Sequence, residues 1–193
     1  MIRPFLVLLI CGLLFSCDSL SQRKLLVQEL KNIKAALASK NKEKIAGIFE
    51  FPVADTALEV YIDDTTYLED LKKNGDKTTK ALFLKYFQGY YLYMGMDGMN
   101  RVFKYINVDS LLQKNSLSRE VRSPKEPCYT TYEVYVEKDI MTLIYNSNSN
   151  KNYVNPSKAK KDEDYAHPCE YAMFWVFRFD GKKLHFVRQR GAG

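Results

Sequence analysis

Histidine is nearly absent from this chain of 193 residues: only His167, before a proline, and His185, close to the carboxy terminus, are present, with no paired ligand spacing. A histidine-built metal centre or catalytic triad therefore has few resources. No zinc-protease helix, P-loop, Gly-x-Ser-x-Gly elbow or Cys-x-x-Cys occurs. No apolar run exceeds Phe5 to Phe15, 11 residues, against the roughly 20 that a bilayer-spanning helix needs. Charge of one sign is never gathered into an arm or stripe: Lys+Arg 29 against Asp+Glu 23 gives a formal net charge of +6, scattered along the chain. Nucleic acid is thus not indicated as a partner, and no cofactor, metal or catalytic residue is assigned. What is present is ordinary for a folded domain, 46% hydrophobic and 27% charged residues, which excludes a disordered tail.

The amino-terminal residues carry the strongest signal. A basic start at Arg3 precedes the apolar run Phe5 to Phe15, and Leu14-Phe15-Ser16-Cys17 closes it. Basic start plus apolar core is the architecture of a secretory signal. The last four residues resemble the lipobox of bacterial lipoproteins, with Leu three before and a small residue one before a cysteine. That resemblance implies a signal peptide over residues 1–16, cleavage before Cys17, and a Cys17 thiol carrying a diacylglyceryl group. The new amino terminus would be acylated, as with palmitate. Each buried methylene contributes about 0.8 kcal/mol, so two or three chains anchor a protein to a membrane that it does not span. Asp18 resembles the inner-membrane retention signal of enteric bacteria; other bacterial groups do not follow that rule, so inner and outer membrane both stay open. The expected address is the bacterial cell envelope.

With Cys11 in the signal and Cys17 lipidated, Cys128 and Cys169 remain. In an oxidising compartment two remaining thiols form one bridge, the alternative being two free buried cysteines. The chain-entropy argument assigns a bridge over so long a loop about 4 kcal/mol. Each cysteine follows a proline, Pro127 and Pro168, and so begins just after a rigid joint.

Residues 17–193 are expected to form one domain, with residues 17–20 a short tether. Leu26, Leu30, Ile33 and Leu37 fall at i, i+4, i+7 and i+11, predicting a helix from about Ser21 to Ser39. Asn41 caps a second, short helix, and Pro52 stops it. A strand is expected over Leu58 to Ile62, then a charged turn region from Asp63 to Asp76. Phe83, Phe87, Tyr90 and Met94 repeat with helical period, and Gly95 and Gly98 end that helix.

From Tyr129 the period becomes two. A hairpin turn at Lys138-Asp139 would pair Val136 with Met141, Val134 with Leu143 and Tyr132 with Tyr145, keeping one apolar face. A third strand, Tyr171 to Phe179, turns at Asp180-Gly181 into a fourth, Leu184 to Arg190. Residues 146–168, rich in Asn, Ser and Lys, read as a long polar loop. The fold class is therefore α+β: amino-terminal helices packed on a curved antiparallel sheet that ends in a four-strand meander. Two helices containing Ala36 to Ala46, then Phe51-Pro52-Val53, a later aromatic helix, and the ending Phe177-Arg178-Phe179-Asp180-Gly181-Lys182-Lys183-Leu184 together resemble the nuclear transport factor 2-like, cystatin-like fold. Members of that group include isomerases, dehydratases and non-catalytic binding domains. No catalytic residue carries over onto this chain.

Tyr86, Tyr90, Met94, Asp63 and Asp97 are the candidate pocket residues, an aromatic and Met-rich lining with two acids nearby. The expectation is a non-catalytic module binding a small molecule or a protein partner. The alternatives are a small isomerase or hydrolase using Asp63 or Asp97 with a tyrosine, and an immunity protein that neutralises an exported toxin. An open cone holding a buried acid and a tyrosine favours the enzyme; a filled cone favours the other two.

Overall fold

The computed structural model describes the backbone of residues 5–151 and 169–193, and side chains from residue 20 onward within those ranges. The side chain of Cys17, residues 1–4 of the expected signal and residues 152–168 of the expected polar loop lie outside the described residues. No helix among the described residues is long and apolar enough to cross a membrane.

Helix α1 (Phe5–Ala38) runs further back than the expected start at Ser21, and takes the proposed tether 17–20 into its length. Residues 5–20 contain no proline to stop it. The predicted stripe is the face it buries: Leu26, Leu30, Ile33 and Leu37, with Val27 beside them, all lie in the core. Arg23 holds the same helix by donating from Nη1 to the Leu111 carbonyl at 3.0 Å. Asn41 caps α2 (Lys42–Ala46), its side chain accepting from the Glu43 and Lys44 amides, as the sequence pattern requires.

The next stretch departs from expectation. Leu58 to Ile62 is not a strand; Asp55–Leu58 is a helical turn, α3, ended by Glu59 with left-handed φ of 46°, and the chain then runs irregularly to Asp64. Leu58 and Val60 are both buried, so a bent segment satisfies the same alternation that suggested a strand. The real pairing here is short: β1 (Val53–Ala54) lies antiparallel to β2 (Lys77–Thr78). Between them the charged region is α4 (Thr65–Lys73) rather than a turn, capped by Asp64, which accepts from the Thr66 and Tyr67 amides. Only Tyr67 and Leu71 are buried on it, two apolar anchors among charges, too few to reveal a helical period in the sequence.

The aromatic helix is two helices. Thr79 caps α5 (Lys80–Lys85), the chain breaks step at Tyr86, and α6 (Phe87–Tyr93) follows. Gly95, at φ of +59°, starts α7 (Met96–Tyr105). Gly95 does end the pattern, but Gly98 lies inside α7: a Cβ on Gly98 would meet the Trp175 ring at 3.4 Å, and one on Gly95 would meet Met173 at 3.0 Å. Small residues let this corner rest on the sheet.

After a 3-10 turn (Val108–Leu112), five strands form an open antiparallel meander, not closed into a barrel: β3 (Ser116–Val121), β4 (Cys128–Glu137), β5 (Ile140–Ser149), β6 (Tyr171–Phe179) and β7 (Leu184–Ala192). The predicted four strands are β4 to β7, and β3 adds a polar edge whose apolar residues are only Leu117 and Val121. Asn146 to Ser149, expected in the loop, extend β5. The β4–β5 register is the predicted one, with Val136 opposite Met141, Val134 opposite Leu143 and Tyr132 opposite Tyr145. Between β6 and β7 the turn spans Asp180 to Lys183, Asp180 Oδ1 accepting from the Lys182 and Lys183 amides. Helix α7 packs on β4 and β5, and α1 and α3 contact the edge strand β7.

Cys128 and Cys169 are disulfide-bonded, their Cα atoms 5.5 Å apart. Cys128 is the first residue of β4 while Cys169 stands outside the ladder, two residues before β6, so the link passes over the end of β5. Asn150 fills that corner, its amide donating to the Pro127 carbonyl and its side chain to those of Ser123 and Glu126.

Candidate functional site

The space between helices and sheet is filled. Phe83, Tyr90, Met94, Met96, Met99, Trp175 and Phe177 are fully buried there, and Trp175 Nε1 donates to the Met94 carbonyl at 2.7 Å. Concave surface therefore lies outside the core, in shallow clefts.

The cleft with the most varied chemistry, about 200 Å³, sits where the α6–α7 corner meets β5 and β6, lined by Gly95, Asp97, Gly98, Arg101, Tyr145, Tyr171 and Met173. Asp97 is in the first turn of α7 and accepts from the Tyr91 hydroxyl at 2.7 Å. Burial and then that carboxylate push the Tyr91 phenol up to about 12. One turn on, Arg101 is exposed and forms no ion pair or hydrogen bond with the described residues. A ladder of rings ends in the cleft at Tyr145 and Tyr171: Tyr105 stacks on Tyr132 at 4.5 Å, Tyr132 meets Tyr145 at 5.6 Å, and Tyr145 meets Tyr171 at 5.6 Å. The Tyr171 hydroxyl donates to that of Tyr145 at 3.1 Å. Burial and that bond push Tyr171 up to about 12, against the opposing pull of the Arg101 charge. Phenols this weakly acidic stay protonated at neutral pH and serve as hydrogen-bond donors rather than bases. The cleft thus offers a cation, a carboxylate, phenol hydroxyls and an open ring face, a set suited to a polar ligand carrying an anionic group.

A larger groove of about 490 Å³ runs along α5 and α6, with Ile62, Asp64, Lys85, Tyr86 and Gly89 in its wall. Lys85 Nζ lies 2.6 Å from Asp70 Oδ2, to which Tyr86 also donates at 3.0 Å. Lys85 first and Tyr86 second hold the Asp70 carboxyl below its ordinary value. Asp64, Lys85 and Tyr86 are thus all engaged already, so the groove offers fewer free contacts than the corner cleft.

The candidate pocket residues are not brought together. Tyr86 lines the large groove, Asp97 lines the corner cleft, Tyr90 and Met94 are core, and Asp63 is exposed in the irregular segment before α4. Helical periodicity placed Tyr90 and Met94 on one face; tertiary packing put that face inside. Asp97 does lie in a concavity beside a tyrosine hydroxyl, yet it is exposed to solvent.

Sequence reasoning missed Arg101, Tyr145 and Tyr171, which lie on three elements that only the fold joins. It also missed a buried polar chain. Tyr90 and Thr78 share a hydrogen bond of 2.8 Å, and Tyr90 donates to Tyr67 at 3.2 Å. Burial first and Tyr90 second push the Tyr67 phenol up. Beside Tyr67, Asp55 is also pushed up, by burial and then by the Asp76 charge, and its Oδ1 is buried without a hydrogen-bond partner among the described residues. Asp55 lines neither cleft. His185, apart in the sequence, is held between Glu50 at 2.7 Å and Asp180 at 2.9 Å. Among the described residues no three His, Cys, Asp or Glu side chains group as a metal site.

Fold and clefts together define an α+β domain with a filled interior and polar recognition surfaces. No family model, curated protein or solved structure matches the chain, so its function is read from its own residues.

Proposed function

We propose that this chain is a lipid-anchored protein of the bacterial cell envelope that binds a polar, anion-bearing small molecule or protein segment without transforming it. The anchor reading rests on Leu14-Phe15-Ser16-Cys17 behind the apolar run. The disulfide between Cys128 and Cys169 supports an oxidising compartment, since such bonds persist where thiols are not kept reduced. The observation that carries the binding reading is Arg101, a cation without a counter-ion among the described residues, beside Asp97 and Tyr171 and over an interior that has no room for substrate.

Two experiments separate anchor from binding. Full-length protein expressed with a labelled fatty acid should incorporate label and partition to membranes, and Cys17→Ala should lose both; equal labelling of the two rejects the anchor. A photo-crosslinking residue at position 171 should capture a ligand or partner from envelopes, and Arg101→Ala should reduce that capture by about tenfold, as loss of a charge-assisted contact implies. Unchanged capture rejects the cleft.

The enzyme alternative draws support from Asp97, which lines the cleft and accepts from the Tyr91 hydroxyl, a carboxylate and phenol pair that could act on a bound carbonyl. Turnover lost in Asp97→Asn but retained in Tyr171→Phe would favour it. The immunity reading predicts instead a proteinaceous partner at position 171.

A further inference from the structure

The second face of the five-strand sheet is uncovered by any described element, and its side chains are arranged by charge. Opposite residues form rows across it: Glu133, Ile144, Phe174 and Arg190 in one, and Tyr135, Thr142, Val176 and Arg188 in the next. A third row holds Glu137, Ile140 and Arg178. Acids therefore stand on β4, apolar residues on β5 and β6, and arginines on β6 and β7. The central apolar residues are only half-buried, and Tyr135 is 43% exposed.

Among the described residues these charges lack close ion-pair partners, Glu133 accepting from the Ser118 hydroxyl at 3.3 Å. Glu133, Glu137, Arg188 and Arg190 form no ion pair among the described residues, and Arg178 reaches Asp139 only at 3.8 Å. Geometry explains why: β4 and β7 are separated by three strand steps, about 14 Å, too far for Glu133 and Arg190 to meet.

We propose that this face pairs with the same face of a second copy, about a two-fold axis running parallel to the strands over β5. That operation lays β4 of one copy over β6 of the other and β3 over β7. Glu133 then comes beside Phe174 and Arg190 of the second copy, and Glu137 over its Arg178, with Ile144 near the axis. Every such contact occurs twice, as an isologous interface requires. Five strands about 4.8 Å apart and roughly 30 Å long present about 700 Å² per copy, so the pair buries about 1,400 Å², within the range of stable interfaces. An anionic membrane would attract the arginines but repel the acids of the same face; a second copy satisfies both. The proposal is independent of what the corner cleft binds.

Sedimentation equilibrium of the full chain in detergent, from micromolar to submillimolar concentration, tests it. The wild type should associate to a dimer, and Ile144→Asp should be monomeric. Glu133→Arg and Arg190→Glu should each weaken association by about tenfold or more, because each turns two attractive contacts repulsive. The double variant E133R/R190E should restore it, a rescue that misfolding cannot imitate. A photo-crosslinker at position 144 should join two copies. A wild type that stays monomeric, a dimer indifferent to Ile144→Asp, a failed charge-swap rescue, or a crosslink from position 144 to another protein or another segment of the same chain would each overturn the proposal.

Discussion

Trp175 is the residue on which the packing converges. It is fully buried, its ring approaches Gly95 and Gly98, and its indole N–H ties β6 to the end of α6 through the Met94 carbonyl. Trp175→Phe removes both volume and that bond, and should destabilise the protein by about 2–4 kcal/mol, read from the shift in urea midpoint. His185 carries the pH dependence. Asp180 first, against an opposing effect of burial, and then Glu50 raise its pKa above the ordinary 6.5. With the folded value above the unfolded one, the stabilisation is fully present below pH 6.5 and is lost as pH rises through the folded value. Thermal midpoints should therefore fall across that alkaline-going window, and His185→Gln should flatten this part of the profile. A wild-type profile already flat there would exclude the linkage.

At the scale of elements, the α6–α7 corner decides where the candidate cleft lies. Gly95 turns the chain with a left-handed φ, and its missing Cβ leaves space for Met173 and Trp175. Gly95→Ala combines backbone strain with that close approach and should cost about 1–2 kcal/mol. Gly98→Ala, with a helical backbone and an ordinary contact to Trp175, should change stability by less than about 0.5 kcal/mol. Chemical denaturation of the two variants distinguishes a glycine that conformation and close approach require from one that neither requires. The cap at Asn41 was legible because a polar side chain preceding an apolar period is a local signal. The break at Tyr86 was not, since no glycine or proline marks it; it follows from fitting two short helices against the filled core.

For the whole molecule, the disulfide joins the beginning of β4 to the approach of β6 and bounds the long excursion between β5 and β6. Reduction, or the pair C128S/C169S, should lower stability by about 2–4 kcal/mol, measured as the loss in unfolding free energy under matched conditions. Retention of the full unfolding free energy after reduction would mean that the sheet alone holds this corner.

The α+β class, the burial stripe of α1, both late hairpins and the β4–β5 register were readable from the chain itself, because each depends on period or on turn residues a few positions apart. The edge strand β3 was hidden because an edge needs little apolar surface, and α4 because charges outnumber its two anchors. Of the candidate site, local reading reached Asp97 alone. Asp97 and Arg101 lie on a helix, Tyr145 and Tyr171 on neighbouring strands, and only the packing of α7 across the sheet puts them around one cleft. The same packing sent Tyr90 and Met94 inward. Sequence period tells which side chains share a face of an element; which of those faces becomes core and which becomes surface is settled by what the rest of the chain lays against it.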